Sequence, residues 1–192
     1  MSHRSRFIRF CILHLLLLCL AKSPQAADPE VPVLTSIQQI RALEHFEASR
    51  QPPVRLQGVV TFVAPKWNSL FMHDGQNAVH VHIPEDADVD VGQRLEVIGT
   101  ADVGSPVASV RATELNLLGT ADLPEPLVIA SDAELQPGWL VQWVELEGTI
   151  YSVANDDSYC FFSLARPGFG VYAILPAIER LLPLEKNRGK RI

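Results

Sequence analysis

The chain contains the same β pattern twice, and this repeat limits its fold more than any other feature. Residues 54–84 read VRLQGVVTFVAPKWNSLFMHDGQNAVHVHIP, and residues 144–176 read VELEGTIYSVANDDSYCFFSLARPGFGVYAILP. Matching pairs are Val54/Val144, Leu56/Leu146, Gly58/Gly148, Val63/Val153, Ala64/Ala154 and Phe71/Phe161 at an offset of 90, then Val79/Val171 and Pro84/Pro176 at 92. Self-similarity of this kind is typical of two copies of one structural unit. The change of offset predicts a hairpin turn two residues longer in the second copy.

Each copy alternates apolar and polar residues between turn residues, which is typical of short β-strands. Each opens with a long strand that carries a glycine, Gly58 or Gly148, and this predicts a bend or bulge. The first copy is followed by two more strand patterns, QRLEVIGTA and ASVRATELNLLG. Five short strands within about 70 residues predict a small closed antiparallel barrel of the OB type.

The second copy lacks the last two strands of this pattern. After Pro176 the chain reads AIERLLPLEKNRGKRI, in which we find no counterpart of GQRLEVIGT or VRATELNLLG. Three strands cannot close a five-stranded barrel and leave exposed edges. Either the chain is a shortened form of a longer protein, which is the simpler interpretation, or a partner or the first barrel supplies the missing strands.

A helix is predicted before the first copy, with Thr35 or Ser36 as its N-cap and Pro52–Pro53 as its stop. The residues expected on its apolar face are Ile37, Ile40, Leu43 and Phe46. The predicted fold class is therefore all-β, with tandem small OB-like antiparallel barrels, the second incomplete, after one N-terminal helix. The predicted segments are a signal peptide (1–27), the helix (33–50), barrel 1 (51–121), a linker (122–138), a partial barrel 2 (139–184) and a basic tail (185–192).

The first 27 residues have the pattern of a secretory signal. Arg4, Arg6 and Arg9 precede the apolar run CILHLLLLCLA, and small residues follow at Ala26 and Ala27. A periplasmic or secreted protein is expected, with an uncleaved N-terminal anchor as the alternative. The apolar run is shorter than the roughly 20 residues of a transmembrane helix, and no later segment approaches that length.

Cleavage near Ala27 would remove Cys11 and Cys19 and leave Cys160 alone, so no disulfide could form within the mature chain. Cys160 is expected to be a small buried apolar residue on a strand. Four of the 16 basic residues lie in the leader, which leaves 12 basic against 22 acidic residues. An acidic surface repels phosphate backbones, so the charge disfavours nucleic acid as a partner.

No catalytic or cofactor motif is present: the sequence has no G-x-S-x-G elbow, no H-E-x-x-H pair and no Gly-rich phosphate loop. We therefore expect a protein that is not an enzyme, holds no cofactor, and binds a small ligand or a partner protein.

The first hairpin, HDGQNAVHVH at residues 73–82, carries three histidines. If DGQN is the turn, alternation places one set of side chains inside the barrel: Leu70, Met72, Val79, Val81 and Ile83. The outward set forms a candidate ligand-binding face, with Trp67 at its rim: Phe71, His73, His80 and His82. OB barrels commonly bind ligands on this face. A zinc or copper site formed by the three histidines, a pH response, and an ordinary solvated face are the alternatives.

Nearly the whole mature chain resembles the extracytoplasmic input region of bacterial sensor histidine kinases. The resemblance is carried by LTSIQQIRAL, by V-x-L-x-G-V-V-T with LFMHDGQNAVHV, and by GQRLEVIGT, LNLLGTADLPEPL and QWVELEGTIYSV. It implies tandem OB-like barrels that bind a ligand or partner ahead of a membrane span and kinase domains. Its motifs are structural and imply no chemistry. The alternatives are a secreted OB-fold accessory protein that binds saccharide or nucleic acid, and a metal- or pH-responsive binder.

Overall fold

The computed structural model describes residues 31–104, 107–176 and 189–190. The predicted signal peptide, residues 1–27, lies outside this part of the chain. Strands dominate the described residues, and two short helices precede them. None of the helices in the described ranges is long and apolar enough to cross a lipid bilayer.

Two helices, α1 (Ile37–Arg41) and α2 (His45–Ala48), replace the single helix predicted over 33–50. The helix breaks because the backbone of Glu44 is extended, and Glu44 and Glu47 form a capping box that starts α2. A continuous apolar stripe in the sequence therefore corresponds to two helical segments separated by a turn.

The predicted apolar face of the helix is only partly correct. Ser36 is the N-cap of α1, and Ile37 and Ile40 are fully buried against the strands. Leu43, in the turn between the helices, packs half-buried against the same core. Phe46 is instead 65% exposed, because the break at the start of α2 turns its side chain away from the core.

Five strands of the first β unit, residues 32–121, close into a barrel in the order β1-β2-β3-β5-β4. Their bounds are β1 Pro53–Ala64, β2 Ser69–His73, β3 Ala78–His82, β4 Gln93–Asp102 and β5 Ser109–Thr120. Neighbouring strands are antiparallel except β3 and β5, which pair in parallel, so the expectation of a wholly antiparallel barrel is wrong for that pair. A closed five-stranded barrel with this topology is an OB-like fold, and the predicted fold class is confirmed.

The β2–β3 hairpin has the predicted register, in which Phe71 lies opposite His80 and His73 lies opposite Ala78. The side chains predicted to point inward are all buried: Leu70, Met72, Val79, Val81 and Ile83. Together with apolar residues of α1, β1, β4 and β5 they form the main core. The turn residues and the two-residue alternation were enough to predict this hairpin.

Gly58, in the first long strand, does not form the predicted bend or bulge. β1 pairs regularly through Gly58, and its register shift lies instead at Thr61. A Cβ atom at position 58 would lie 2.7 Å from Met72 Cε and 2.8 Å from His73 O. Glycine is needed there because two strands approach closely, and not because of a bulge.

The second β unit shows, within its described residues 127–176 and 189–190, only part of the pattern of the first. Its strands are β6 Leu127–Ile129, β7 Val144–Leu146, β8 Thr149–Asn155, β9 Tyr159–Ala165 and β10 Val171–Pro176. Strands β8, β9 and β10 form a three-stranded sheet, and β6 pairs in parallel with β7. The predicted linker over 122–138 therefore contains a strand of this unit. Cys160 on β9 is buried, as predicted.

The two copies differ in length at a different place from the predicted one. Ala64 pairs with Ser69, whereas Ala154 pairs with Phe161. The two additional residues thus lie between β8 and β9, and the β9–β10 turn has the same length as the β2–β3 turn. Phe161 therefore corresponds to Ser69 and not, as predicted, to Phe71.

Part of the predicted basic tail over 185–192 is hydrogen-bonded to the second sheet. The Gly189 N–H donates to Ile150 O at 2.7 Å, and the Ile150 N–H donates to Lys190 O at 3.2 Å. The expectation of a tail is wrong for these two residues, and the rest of the segment, like residues 177–184 of predicted barrel 2, lies outside the described residues.

Candidate ligand-binding groove

Three of the five predicted site residues form one ring cluster on the outer face of the β2–β3 hairpin. The rings of Phe71 and His80 stack with their centroids 5.0 Å apart, and His80 meets His82 edge-on at 4.4 Å. His80 Nε2 lies 3.0 Å from Ser69 Oγ, which fixes the imidazole in the stack. The alternation of the strands places these side chains together, as the sequence indicated.

His73 does not join this cluster. Its side chain is buried, and its Nδ1 accepts a hydrogen bond from the Gly75 N–H at 2.9 Å. It borders a separate depression together with Arg94 and Asp122. Because His73 points elsewhere, the three histidines do not converge, and no group of three His, Cys, Asp or Glu side chains within the described residues is placed to hold a metal ion.

Trp67 connects the two β units. It ends the 3₁₀ turn Pro65–Trp67, and the left-handed backbone of Asn68 then leads into β2. Its indole stacks on Tyr159 of the second unit, with ring centroids 4.5 Å apart and an interplanar angle of 25°. Trp67, which was predicted at the rim of the ligand-binding face, is thus partly covered by the ring of Tyr159, a residue not included in the predicted site.

Phe71 and His80 of the ring cluster form part of one wall of a groove of about 620 Å³. The first unit contributes Thr61, Phe62, Ala64, Trp67, Ser69, Phe71, Ala78 and His80, the connection contributes Gln142 and Trp143, and β10 contributes Tyr172, Ala173 and Ile174. The groove is therefore composite, because neither β unit forms both walls. A volume of this size lies within the roughly 300–1,000 Å³ typical of small-molecule pockets.

A polar clamp holds the connection between the two units against the start of β3. Arg41 of α1 donates from Nη1 to Leu140 O at 3.0 Å and to Ala78 O at 3.3 Å, and from Nη2 to Gly138 O at 3.3 Å. The Ala78 N–H donates to Gln142 Oε1 at 3.1 Å. The N–H and C=O groups of Ala78 are thus both hydrogen-bonded to the clamp, which holds the connection against the side of the groove formed by β3.

The groove offers aromatic surface and few free polar groups. Thr61 Oγ1 donates to Phe71 O at 3.3 Å, and Ser69 Oγ donates to Trp67 O at 3.0 Å, so both hydroxyl protons have partners. Among the described residues, none that lines the groove is an acid, a lysine or an arginine. Such a surface favours a neutral ligand held by stacking and by apolar contact.

Several residues that line or support the groove were missed from the sequence: Gln142, Trp143 and Tyr172 line it, and Arg41 and Tyr159 support its walls. The repeat does place Tyr172 opposite Ser163 on the outer face, in the position that His80 has in the first unit. The remaining residues follow no periodic pattern or motif in the sequence, because they contribute to the groove only through contacts between distant parts of the chain.

Buried His73 and half-buried His80 predict a loss of stability in mild acid. Burial lowers the pKa of His80, and the nearby charge of His82 lowers it further. Burial also lowers the pKa of His73, although the negative charge of Asp74 partly offsets this shift. The unfolded chain therefore binds protons more readily, and stability should fall as pH drops below the ordinary histidine pKa of about 6.5. We expect the urea midpoint to decrease between pH 7.5 and 5.5, above the range in which most carboxylates titrate. The His73→Gln/His80→Gln variant should lose most of this slope, and exposed His45→Gln should keep it.

No family model matches the sequence, and no curated protein matches it. Similar solved structures include the Stn1–Ten1 complex of S. pombe, with 17% identity over 50% of this chain and 82% of that chain and a TM-score of 0.35. Replication protein A of U. maydis bound to ssDNA has 22% identity, 50% and 81% coverage and a TM-score of 0.34. The hypothetical protein YgiW of E. coli has 15% identity, 49% and 100% coverage and a TM-score of 0.36. At these TM-scores the similarity gives no information about a ligand, and the OB-like fold is assigned from the strand topology of this chain alone.

Proposed function

We propose that this chain is a non-enzymatic extracytoplasmic binding module that holds a small neutral ligand with a planar ring in the composite groove. The single observation that carries this proposal is the aromatic lining of the groove, formed by half-buried Phe71 and Trp143 and exposed Tyr172 from separate parts of the chain. A planar ring between such side chains would gain stacking energy without having to satisfy buried charges.

The polar clamp supports a preformed site. The Arg41 and Gln142 side chains fix the connection that carries Trp143, and Trp67 fixes β2 against Tyr159. Rigid walls reduce the entropy that binding would otherwise cost. A groove held open by such contacts is better suited to a small molecule than to a large flexible partner.

The cellular context of the proposal comes from the sequence. The basic and apolar leader supports export from the cytoplasm, and the resemblance to sensor-kinase input regions supports a role in ligand detection. In that role the chain would recognise a solute outside the cytoplasm, and the signalling chemistry would belong to other domains.

Binding of the neutral naphthalene dye prodan tests the groove. We expect micromolar binding to the full chain, weakened about tenfold by Tyr172→Ala or Phe71→Ala, since stacking contributes about 1–3 kcal/mol per ring and 1.4 kcal/mol is tenfold. Tyr172 is 69% exposed, so its removal should leave the fold intact. Tyr151→Ala is the matched control, because Tyr151 is 58% exposed and does not line the groove.

Equal prodan affinity in Tyr172→Ala, Phe71→Ala and Tyr151→Ala would contradict the proposed site. Oligothymidine and a neutral oligosaccharide are tested in parallel, because nucleic acid and saccharide are the alternatives. Oligothymidine that binds more tightly than prodan, with a steep dependence on salt, would replace the small-ligand proposal by nucleic-acid binding.

A further inference from the structure

A second depression, separate from the ligand groove, lies where β1, β2 and β4 run side by side. Its volume is about 320 Å³, and its described lining has no residue in common with that of the groove. Arg94, Asp74 and Asp122 border it together with His73, so both signs of charge are present. The depression is thus polar where the groove is aromatic, and its size is at the lower end of the range for small-molecule sites.

The strand register explains why two hydrogen-bond donors border this depression. Val59 of β1 lies opposite His73 of β2 on one side and opposite Arg94 of β4 on the other. Directly paired residues place their side chains on the same face of a sheet. Neighbouring strands are about 4.8 Å apart, which puts the Cα atoms of His73 and Arg94 about 10 Å from each other. Side chains at this spacing can both reach one small molecule that lies over Val59.

The charge of Arg94 has no acidic partner at ion-pair distance within the described residues. Its Nη2 donates to Gln57 Oε1 at 3.2 Å, and Gln57 Nε2 donates in turn to Glu96 Oε1 at 3.4 Å. The carboxylate of Glu96 is itself paired with Arg55. The amide of Gln57 therefore orients the guanidinium but does not neutralise it, and a planar guanidinium is suited to binding a carboxylate.

His73 contributes a donor that carries no charge. Its Nδ1 accepts a hydrogen bond from the Gly75 N–H at 2.9 Å, so the proton of the neutral ring lies on Nε2. Burial favours the neutral ring by lowering the pKa of His73, with the charge of Asp74 opposing. The imidazole can therefore donate to a carboxylate from the same face as Arg94.

Asp74 and Asp122 supply the negative charge of the depression. Asp74 Oδ1 accepts hydrogen bonds from two backbone N–H groups of the β2–β3 turn, at 3.0 and 2.8 Å, which fixes its carboxylate. Neither acid forms an ion pair with Arg94 or with any other cation in the described part of the chain. With His73 they also make no group placed to hold a metal ion there.

The segment that carries Asp122 is held on both sides of this residue. The Ala121 N–H donates to Gly92 O at 2.9 Å, beside the start of β4, and Trp143 Nε1 donates to Pro124 O at 2.9 Å. Asp122 is thus fixed near the strand that begins with Gln93 and Arg94. Such preorganisation lowers the entropy that binding would cost.

We propose that this depression binds a small α-amino acid as its zwitterion, with the carboxylate at Arg94 and His73 and the ammonium group at Asp122 and Asp74. Opposite charges that border one space without forming an ion pair match a ligand that carries both charges. A simple anion would also meet the two acids, and a simple cation would also meet the arginine, so each would be attracted at one end and repelled at the other. The proposal concerns a second site and does not depend on the proposed function of the groove.

Three probes of similar size test the two charges separately. L-Alanine carries both charged groups, propionate lacks the ammonium group, and ethylamine lacks the carboxylate. In amide NMR titrations of the full chain at pH 7 we expect alanine to bind with about millimolar affinity, with the largest shifts at the amides of Gly75 and Arg94. Propionate and ethylamine should each bind at least tenfold more weakly, because each lacks one hydrogen-bonded charge.

Two variants should reproduce the loss of each charge from the side of the protein. Arg94→Gln should bind alanine about as weakly as the unaltered chain binds ethylamine, and Asp122→Asn about as weakly as the unaltered chain binds propionate. Both residues are exposed, so the fold should remain intact. The matched controls are Arg50→Gln and Asp132→Asn, which are also exposed and lie outside the depression. The affinity for prodan should stay unchanged in all four variants.

An affinity for alanine that is the same in Arg94→Gln and Asp122→Asn as in the two controls would overturn the proposal. Propionate or ethylamine that binds as tightly as alanine would also overturn it, because the site would then recognise a simple ion. The absence of saturable alanine binding, or shifts confined to the amides of the groove, would have the same consequence. None of these results depends on whether prodan binds to the groove.

Discussion

Replacement of Gly99 by alanine is expected to lower the free energy of unfolding by about 3 kcal/mol, the upper part of the usual range for overpacked sites. A Cβ atom at this position would overlap the Arg111 carbonyl oxygen and lie 3.0 Å from Ala112 Cα. These are backbone atoms of β5, opposite a register shift between β4 and β5, so they cannot move aside without breaking the pairing of the two strands.

Urea unfolding followed by circular dichroism measures this loss. Gly138→Ala is the control, because a Cβ atom at position 138 meets nothing within 4 Å, and we expect a change within about 0.5 kcal/mol. A Gly99→Ala variant as stable as Gly138→Ala would mean that the close approach of β4 and β5 at this position does not exist in the protein.

Replacement of Arg41 by methionine is expected to weaken both the fold and the groove. The variant keeps the aliphatic stem but loses the three hydrogen bonds to Ala78, Gly138 and Leu140, and hydrogen bonds to a charged group contribute about 1.5–3 kcal/mol. We expect a loss of about 2 kcal/mol in stability and an affinity for prodan several-fold lower, because the connection that carries Trp143 is no longer held.

Two control variants separate the clamp from a general effect of charge. Arg41→Lys keeps the charge, but an ammonium group lacks the planar array of donors with which the guanidinium reaches three carbonyl oxygens. This variant should therefore recover little of the stability or of the affinity for prodan. Arg55→Met removes an arginine that pairs with Glu96 on the exposed face of β1 and β4, and it should leave the affinity for prodan unchanged. If Arg41→Met and Arg55→Met behaved alike in both measurements, the clamp would have no special role.

The local parts of the fold were predictable because local rules determine them. A four-residue turn and a two-residue alternation fix the register of β2 and β3, and hence the shared face of Phe71, His80 and His82. The break between α1 and α2 was not predictable in the same way. A capping box at Glu44 competes with a continuous apolar stripe, and the sequence pattern does not show which of the two prevails.

The error in the alignment of the two copies has a simple physical origin. Offsets of 90 and 92 are both even, so either keeps inward residues inward and outward residues outward along a strand. The alternation of the sequence therefore cannot distinguish them, and the identity of Phe71 with Phe161 favoured the wrong one. The strand pairing decides, because it places Phe161 opposite Ile174 where Ser69 lies opposite His82.

The candidate site was only half predictable for a different reason. The hairpin face belongs to one local element, whereas Arg41, Gln142 and Tyr159 reach it from distant parts of the chain. His73 shows the converse: alternation places it on the outer face, but it is buried and hydrogen-bonded to Gly75, away from His80 and His82. Which outward residues become covered depends on tertiary contacts that no local pattern contains.

The composite origin of the groove links ligand occupancy to the docking of the two β units. A molecule that contacts both Phe71 and Tyr172 makes all of its contacts only when the two units are docked. Its binding therefore stabilises the docked arrangement of the units. Reciprocally, the factor by which the ligand stabilises the docked units equals the factor by which docking raises the affinity for the ligand. Occupancy of the site would therefore change how firmly the second unit is held against the first.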